Sequence, residues 1–116
     1  MATEKLTDPL GYEIRIEDDR WAHIIDRHPE VEPLRDVLLQ TINEPNLIKK
    51  DAERADVFYY YRLTGRSVFR RDDIYMSAVV ERSEGNKLGR VLTAYLVKQP
   101  RKDGDIAWFN LQTKFK

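Results

Sequence analysis

The two histidines of this sequence are its best candidates for acid–base chemistry, because imidazole takes up and releases a proton near neutral pH. Helical spacing places His23 on one face with Arg20 and Arg27, which lie three residues before it and four residues after it. Pro29 disfavours helical geometry in the preceding residue, so His28 is expected at the C-terminal cap, where the helix dipole favours imidazolium. Each histidine also has a structural interpretation: His23 as an exposed helix residue, and His28 as a cap or half-buried core residue.

A metal site is a poor interpretation of this pair. His23 and His28 are five residues apart, which does not match the i, i+4 spacing of helical zinc sites, and no third ligand stands out in the sequence. The chain has no cysteine, so thiol nucleophiles, disulfides, iron–sulfur clusters and cysteine-based zinc sites are excluded. The sequence therefore predicts neither a metal nor a cofactor.

A second group of candidate residues lies on the predicted strands. In the last long β-like segment, Leu92, Ala94 and Leu96 should point towards the helices, and Thr93 and Tyr95 towards the opposite side.

Phe58, Tyr60 and Arg62 can join Thr93 and Tyr95 on that opposite side if the neighbouring strand has matching parity. Aromatic and arginine side chains on an open sheet can stack on bases and hold phosphates. The alternative is that the aromatic residues fill a second, smaller core.

The charges of the chain are unevenly distributed although its formal net charge is zero. Residues 1–58 carry 8 Lys and Arg against 14 Asp and Glu, and residues 59–116 carry 12 against 6. The basic second half is a candidate surface for phosphate, with Arg62 and Arg90 as the expected contacts. The alternative is a mixed surface with ion pairs between the two halves.

The elements that must position these residues follow from hydrophobic periodicity. The order of helices first and strands afterwards indicates the α+β class, and 116 residues with 41% hydrophobic content suit one domain over residues 1–116. Apolar runs fall far short of the ~20 residues that cross a bilayer, so we expect a cytoplasmic protein without a membrane partner. The predicted elements are a strand at 12–16, helices at 19–27 and 31–42, and β-like segments at 56–63, 74–81, 88–98 and 106–111.

Four short motifs, taken in order, resemble a known group of nucleases. The chain from residue 12 to about 108 resembles the phage-associated branch of the barnase, EndoU, colicin and RelE-type ribonucleases. That resemblance implies N-terminal helices packed on a four-stranded antiparallel sheet. The motifs are Trp21–Glu30, Asn43–Ile48, Tyr59–Arg62 and Thr93–Tyr95.

The resemblance implies cleavage of RNA without a metal, by attack of the ribose 2′-hydroxyl on its own phosphate to leave a 2′,3′-cyclic phosphate. It assigns proton transfer to His23 or His28, and stabilisation of the phosphorane to Arg62 or Arg27. Thr93 would donate to a phosphate oxygen and Tyr95 would position or stack a base. The expected substrate-binding residues are Arg27, Tyr60, Arg90 and Tyr95.

The same resemblance implies partners: an RNA substrate and, if the chain is toxin-like, an antitoxin or immunity protein. A different class of function is a non-catalytic module that holds RNA or a protein on the same sheet face. A third is a structural phage or host-interaction protein whose sheet edge pairs with a partner, which can be a second copy of the chain in a homodimer.

Overall fold

The computed structural model describes residues 3–64 and 74–110, and its strands form one sheet. The strand order is β1-β2-β6-β5-β4-β3-β7. The pairing of β2 with β6 is parallel, and every other pairing among the described strands is antiparallel. The elements are β1 (Glu4–Thr7), β2 (Glu13–Ile16), α1 (Asp18–Arg27), a 3-10 helix (Pro29–Leu34), α2 (Arg35–Asn43), β3 (Leu47–Lys50), β4 (Val57–Leu63), β5 (Tyr75–Ser83), β6 (Leu88–Val97) and β7 (Ile106–Phe109).

The predicted fold, N-terminal helices on a four-stranded antiparallel sheet, is wrong, although the protein is α+β. The described sheet has seven strands, because β1 and β2, which precede the helices, join it on one side and β7 joins it on the other. It is mixed because β2 is parallel to β6. Strands β1, β3 and β7 have four residues each, too few for a clear period of two in the sequence. Pro33 also divides the predicted second helix into the 3-10 helix and α2.

The two helices and the 3-10 helix cover one face of the sheet, which we call the helix face. Rows of paired residues such as Ile48, Tyr60, Ala78 and Ala94 point to that side, and they pack with Ile24 of α1 in the main core. Burial of these apolar side chains is the main favourable contribution to folding, at about 25 cal/mol per Å² of apolar surface.

The opposite side, which we call the far face, has a second and smaller core. Leu47, Tyr59, Tyr61 and Val79 are buried there. Leu92 packs against this group instead of under the helices, because a register shift between Val79 and Val80 leaves Leu92 as an extra residue in β6. The prediction that Leu92 points towards the helices is therefore wrong.

Four other residues of β6 have the faces that the sequence predicts. Ala94 and Leu96 lie on the helix face, and Thr93 and Tyr95 are paired with residues of the far face. No helix in the described part of the chain is long and apolar enough to span a membrane.

The loop between β6 and β7 depends on a glycine. Gly104 has a φ of 81°, and a Cβ at this position would lie 2.1 Å from the carbonyl oxygen of Lys50. We predict that Gly104→Ala lowers the free energy of unfolding by about 1–3 kcal/mol, since the left-handed backbone and the backbone contact both disfavour a side chain. Gly85→Ala is the control, because nothing lies within 4 Å of its Cβ. Equal melting temperatures for the two variants in calorimetry would contradict this prediction.

Candidate functional site

Six of the eight predicted site residues lie on α1, at its C-terminal cap or on β6, and α1 packs against β6. β2 pairs with β6 only over Leu88–Arg90, so the next part of β6 has no strand beside it on that side in the described sheet. α1 follows β2 directly and lies along this part of β6. The six residues are His23, Arg27, His28, Arg90, Thr93 and Tyr95.

A pocket of about 350 Å³ lies where α1 meets β6. Its lining contains two carboxylates, two guanidinium groups and one imidazole. The imidazole is that of His23, which is an exposed residue. The lining residues are Glu17, Asp19, Arg20, His23 and Arg90. This arrangement can hold an anion and move protons beside it, and we call it the His23 pocket.

The second histidine has a different environment. His28 caps α1, with its backbone N–H donating to the carbonyl of Ile24 at 2.7 Å, and its side chain is half-buried. The ring centroids of His28 and Tyr95 are 5.4 Å apart, and Nδ1 of His28 is 3.8 Å from a carboxylate oxygen of Glu30. His28 thus fixes the end of α1 against β6, and Tyr95 is the predicted site residue that it contacts.

Two predicted site residues lie elsewhere. Tyr60 is fully buried on the helix face, and Arg62 donates from its guanidinium to the carbonyl of Glu44, just after α2. Strand parity explains the difference: Tyr60 pairs with Ala78, which pairs with Ala94, so these residues share the helix face. The parity that would have placed Tyr60 and Arg62 on one face with Thr93 is therefore not the one that the sheet has.

The Tyr60 hydroxyl belongs to a buried polar network at one end of the core. It donates to Oδ2 of Asp8 and accepts from Nη1 of Arg82 at 3.2 Å. The Arg82 guanidinium also lies 3.5 Å from the Phe58 ring centroid and 4.2 Å from that of Tyr12. Burial, followed by the bond to Asp8, raises the pKa of Tyr60, so the hydroxyl stays protonated. This network ties the β1–β2 hairpin to β4 and β5.

The residues that occupy the far face in place of Tyr60 are Tyr59 and Tyr61, whose rings stack with centroids 6.4 Å apart. The β6–β7 loop covers them: the Arg101 N–H donates to the Tyr61 hydroxyl at 3.2 Å, and Lys49 Nζ donates to the Arg101 carbonyl at 2.8 Å. The Arg101 guanidinium lies 4.9 Å from the Tyr59 ring. These tyrosines form the second, smaller core rather than an open stacking surface.

The carboxylate of Asp51 accepts hydrogen bonds at the outer edge of this core. The Tyr59 hydroxyl donates to Oδ1 of Asp51 at 2.8 Å, and Oδ2 of Asp51 accepts from the N–H groups of Glu53 and Arg54. These bonds, that from the Arg54 N–H above all, lower the pKa of Asp51. Burial and the Asp51 bond together raise the pKa of Tyr59 to about 12.

The sequence did not point to Glu17, Asp19 or Arg20 as pocket residues. Asp18 and Asp19 lie in the first turn of α1, and the N-cap is Glu17, which makes no side-chain capping bond. The usable signal was the i, i+3 spacing of Arg20 and His23, which places both on one helix face. Among the described residues, no three His, Asp or Glu side chains form a group that could hold a metal ion.

No family model matches this chain, and no curated protein or solved structure matches it either. The resemblance to the ribonuclease families therefore stays a prediction from the sequence. What the structure adds is the geometry of the His23 pocket and its surroundings.

We predict that Tyr60→Phe lowers the free energy of unfolding. Loss of the hydroxyl leaves Oδ2 of Asp8 and Nη1 of Arg82 without this buried partner, which costs about 1–3 kcal/mol. Urea unfolding of the variant and the wild type measures the difference. Equal free energies of unfolding would contradict the role of this hydroxyl in the buried network.

We also predict a loss of stability as the pH rises from 10 to 12. The folded-state pKa of Tyr59 is raised to about 12 from 10.0, so the unfolded chain loses this proton first, and stability falls through that window. Below pH 10 the contribution of Tyr59 is fully present. In Tyr59→Phe the decline should be smaller, as measured by urea unfolding at pH 9, 10.5 and 12. The same decline in both proteins would exclude Tyr59 as a cause.

Proposed function

We propose that this protein binds RNA and cleaves it without a metal ion at the His23 pocket. One observation carries the proposal: a single pocket is lined by carboxylate, imidazole and guanidinium groups. Cleavage through the 2′-hydroxyl needs a base, an acid and a cation at the phosphate, and these are the groups present.

In the proposed reaction Glu17 acts as the base and takes the proton of the 2′-hydroxyl. The 2′-oxygen attacks phosphorus and forms a P–O bond, and the bond from phosphorus to the 5′-oxygen breaks. His23 donates a proton to that leaving oxygen, which leaves a 2′,3′-cyclic phosphate and a 5′-hydroxyl end. The guanidinium groups of Arg20 and Arg90 neutralise the charge that develops on the phosphorane oxygens.

Supporting roles go to the other predicted residues around α1 and β6. Arg27 is exposed one turn after His23 and is placed to meet a neighbouring phosphate. Thr93 and Tyr95 are half-exposed on β6, where a hydroxyl can donate to phosphate and an aromatic ring can contact a base. His28 acts as a positioning residue in this scheme, since its ring contacts Tyr95.

A second candidate function is a non-catalytic module that holds RNA on the same surface. The observation that favours it is the exposure of His23, because an open pocket does not exclude water from the reacting groups. Such a module would bind RNA through Arg20, Arg27 and Arg90 and leave the RNA intact. A cytoplasmic location, a toxin-like or phage-related role, an antitoxin partner and a homodimer stay predictions of the sequence.

We predict that His23→Ala and Glu17→Gln each lower the rate of RNA cleavage by ~10²- to 10⁴-fold, the usual contribution of a general acid or base. The measurement is incubation with total RNA and with tRNA in EDTA, followed by mapping of 3′ ends for cyclic phosphate. Glu53→Gln is the control for loss of an exposed carboxylate, since Glu53 lies outside this pocket.

Two results would contradict the mechanism. Cleavage that disappears in EDTA and returns with magnesium would show that a metal performs the reaction. Binding of RNA without any cleavage by the wild-type protein would leave the binding module as the function.

A further inference from the structure

Three basic residues stand directly opposite one another on adjacent strands of the far face. Lys5 of β1 pairs with Arg15 of β2 in the antiparallel register, and Arg15 pairs with Arg90 of β6 in the parallel register. All three residues are exposed. Neighbouring strands lie about 4.8 Å apart, so the three Cα positions span ~10 Å, and we call this set the basic row.

Like charges directly opposite one another on a sheet are unfavourable. Acidic neighbours reduce this repulsion: Arg15 pairs with Glu13 at 3.1 Å, and Arg90 pairs with Glu81 at 3.1 Å. The Arg15 and Arg90 side chains are 44% and 56% exposed, and ion pairs at such positions contribute little to stability. An incoming phosphate can therefore compete with both carboxylates.

The basic row borders a cleft of about 620 Å³ on the far face, which is within the size range of small-ligand sites. The charged residues that line this cleft are three arginines, Arg15, Arg82 and Arg90, and three carboxylates, Glu17, Asp56 and Glu81. Arg90 and Glu17 line both this cleft and the His23 pocket. The two cavities are therefore adjacent, and Arg90 is the cation common to them.

Glu81 shows where an anion is held in this cleft. Its carboxylate accepts from the Arg90 guanidinium on one oxygen and from Arg54 Nη2, at 3.4 Å, on the other. Two arginines that converge on one carboxylate have the geometry that also grips a phosphate.

We propose that the basic row is a track for the backbone of single-stranded RNA that leads away from the His23 pocket. This inference rests on the proposed function: the scissile phosphate lies at His23 and Arg90, and the next phosphates along the strand lie at Arg15 and Lys5. A positively charged groove that follows the backbone is the usual way in which proteins hold single strands without reading their sequence. The substrate class is therefore single-stranded RNA with at least two phosphates beyond the cleaved one.

The test measures binding of a 2′-O-methyl oligonucleotide of ten residues, which cannot react, by fluorescence anisotropy at several salt concentrations. The double variant Lys5→Gln, Arg15→Gln should bind at least tenfold more weakly, and its slope of log affinity against log salt should fall by about 1.4, at ~0.7 for each lost phosphate contact on a single strand. Lys102→Gln is the control for loss of one exposed positive charge away from the basic row, since Lys102 is exposed on the β6–β7 loop.

A third variant changes affinity in the opposite direction. Glu81→Gln removes the carboxylate that occupies Arg90, so it should bind the same oligonucleotide more tightly, whereas a purely structural role for Glu81 predicts equal or weaker binding. Cleavage of RNA by His23→Ala, measured in parallel, separates this inference from the proposed function. If His23→Ala loses cleavage and its binding to the oligonucleotide keeps the wild-type salt slope, both proposals are supported.

Each remaining outcome decides one of the two proposals. If the wild type binds the oligonucleotide through Lys5 and Arg15 but cleaves nothing, the track stands and the nuclease function fails. If it cleaves RNA and the double variant keeps its affinity and salt slope, the track is refuted. Equal affinity for a duplex of the same length, or binding that is insensitive to salt, would also refute it.

Discussion

The close parallel pairing of β2 with β6 positions everything that the proposed function uses. β6 has Gly89 at the contact, where a Cβ would lie 2.7 Å from Cδ1 of Ile14 and 3.0 Å from the carbonyl oxygen of Glu81. The absence of a side chain allows the Ile14 side chain to fill that space on the helix face. Because α1 starts two residues after β2 ends, this pairing also sets α1 beside β6, and the His23 pocket lies between them.

The two faces of the sheet use polar groups in different ways. On the helix face, Asp8, Tyr60 and Arg82 are buried and bonded to one another, so their charges are unavailable to a ligand. On the far face, Arg15 and Arg90 are exposed and are paired with exposed or half-exposed carboxylates. The zero net charge of the chain therefore hides a local separation, in which some cations complete the core and others remain accessible.

The sequence was informative where a strand or helix is long and one of its sides is buried. The alternation in β6 correctly predicted the faces of Thr93, Ala94, Tyr95 and Leu96, and Pro29 marked the end of α1. It failed at Leu92, because a bulge has no local signature there, and it left the face of Tyr60 open, because a run of three tyrosines fits either parity.

The site itself was predicted in part. The α1 histidine and arginines were identified from helical spacing, but their proximity to Arg90 depends on a pairing between residues about 75 positions apart, as Glu13 and Leu88 show. Periodicity is a local property and carries no information on such pairings. The basic row has the same origin, since its three members come from three separate strands.

The strand order also has a consequence for the order of folding. β3, β4, β5 and β6 pair in sequence order, each strand antiparallel to the next, so these pairings join segments that are close in the sequence. The junction of β2 with β6 instead closes a loop of most of the described chain, which is entropically costly. A partly opened molecule that keeps β3, β4, β5 and β6 paired and releases β1, β2 and α1 would therefore lose the His23 pocket while retaining most of its sheet. The side chains of the His23 pocket and the strands that stay paired would then belong to separate units of cooperativity.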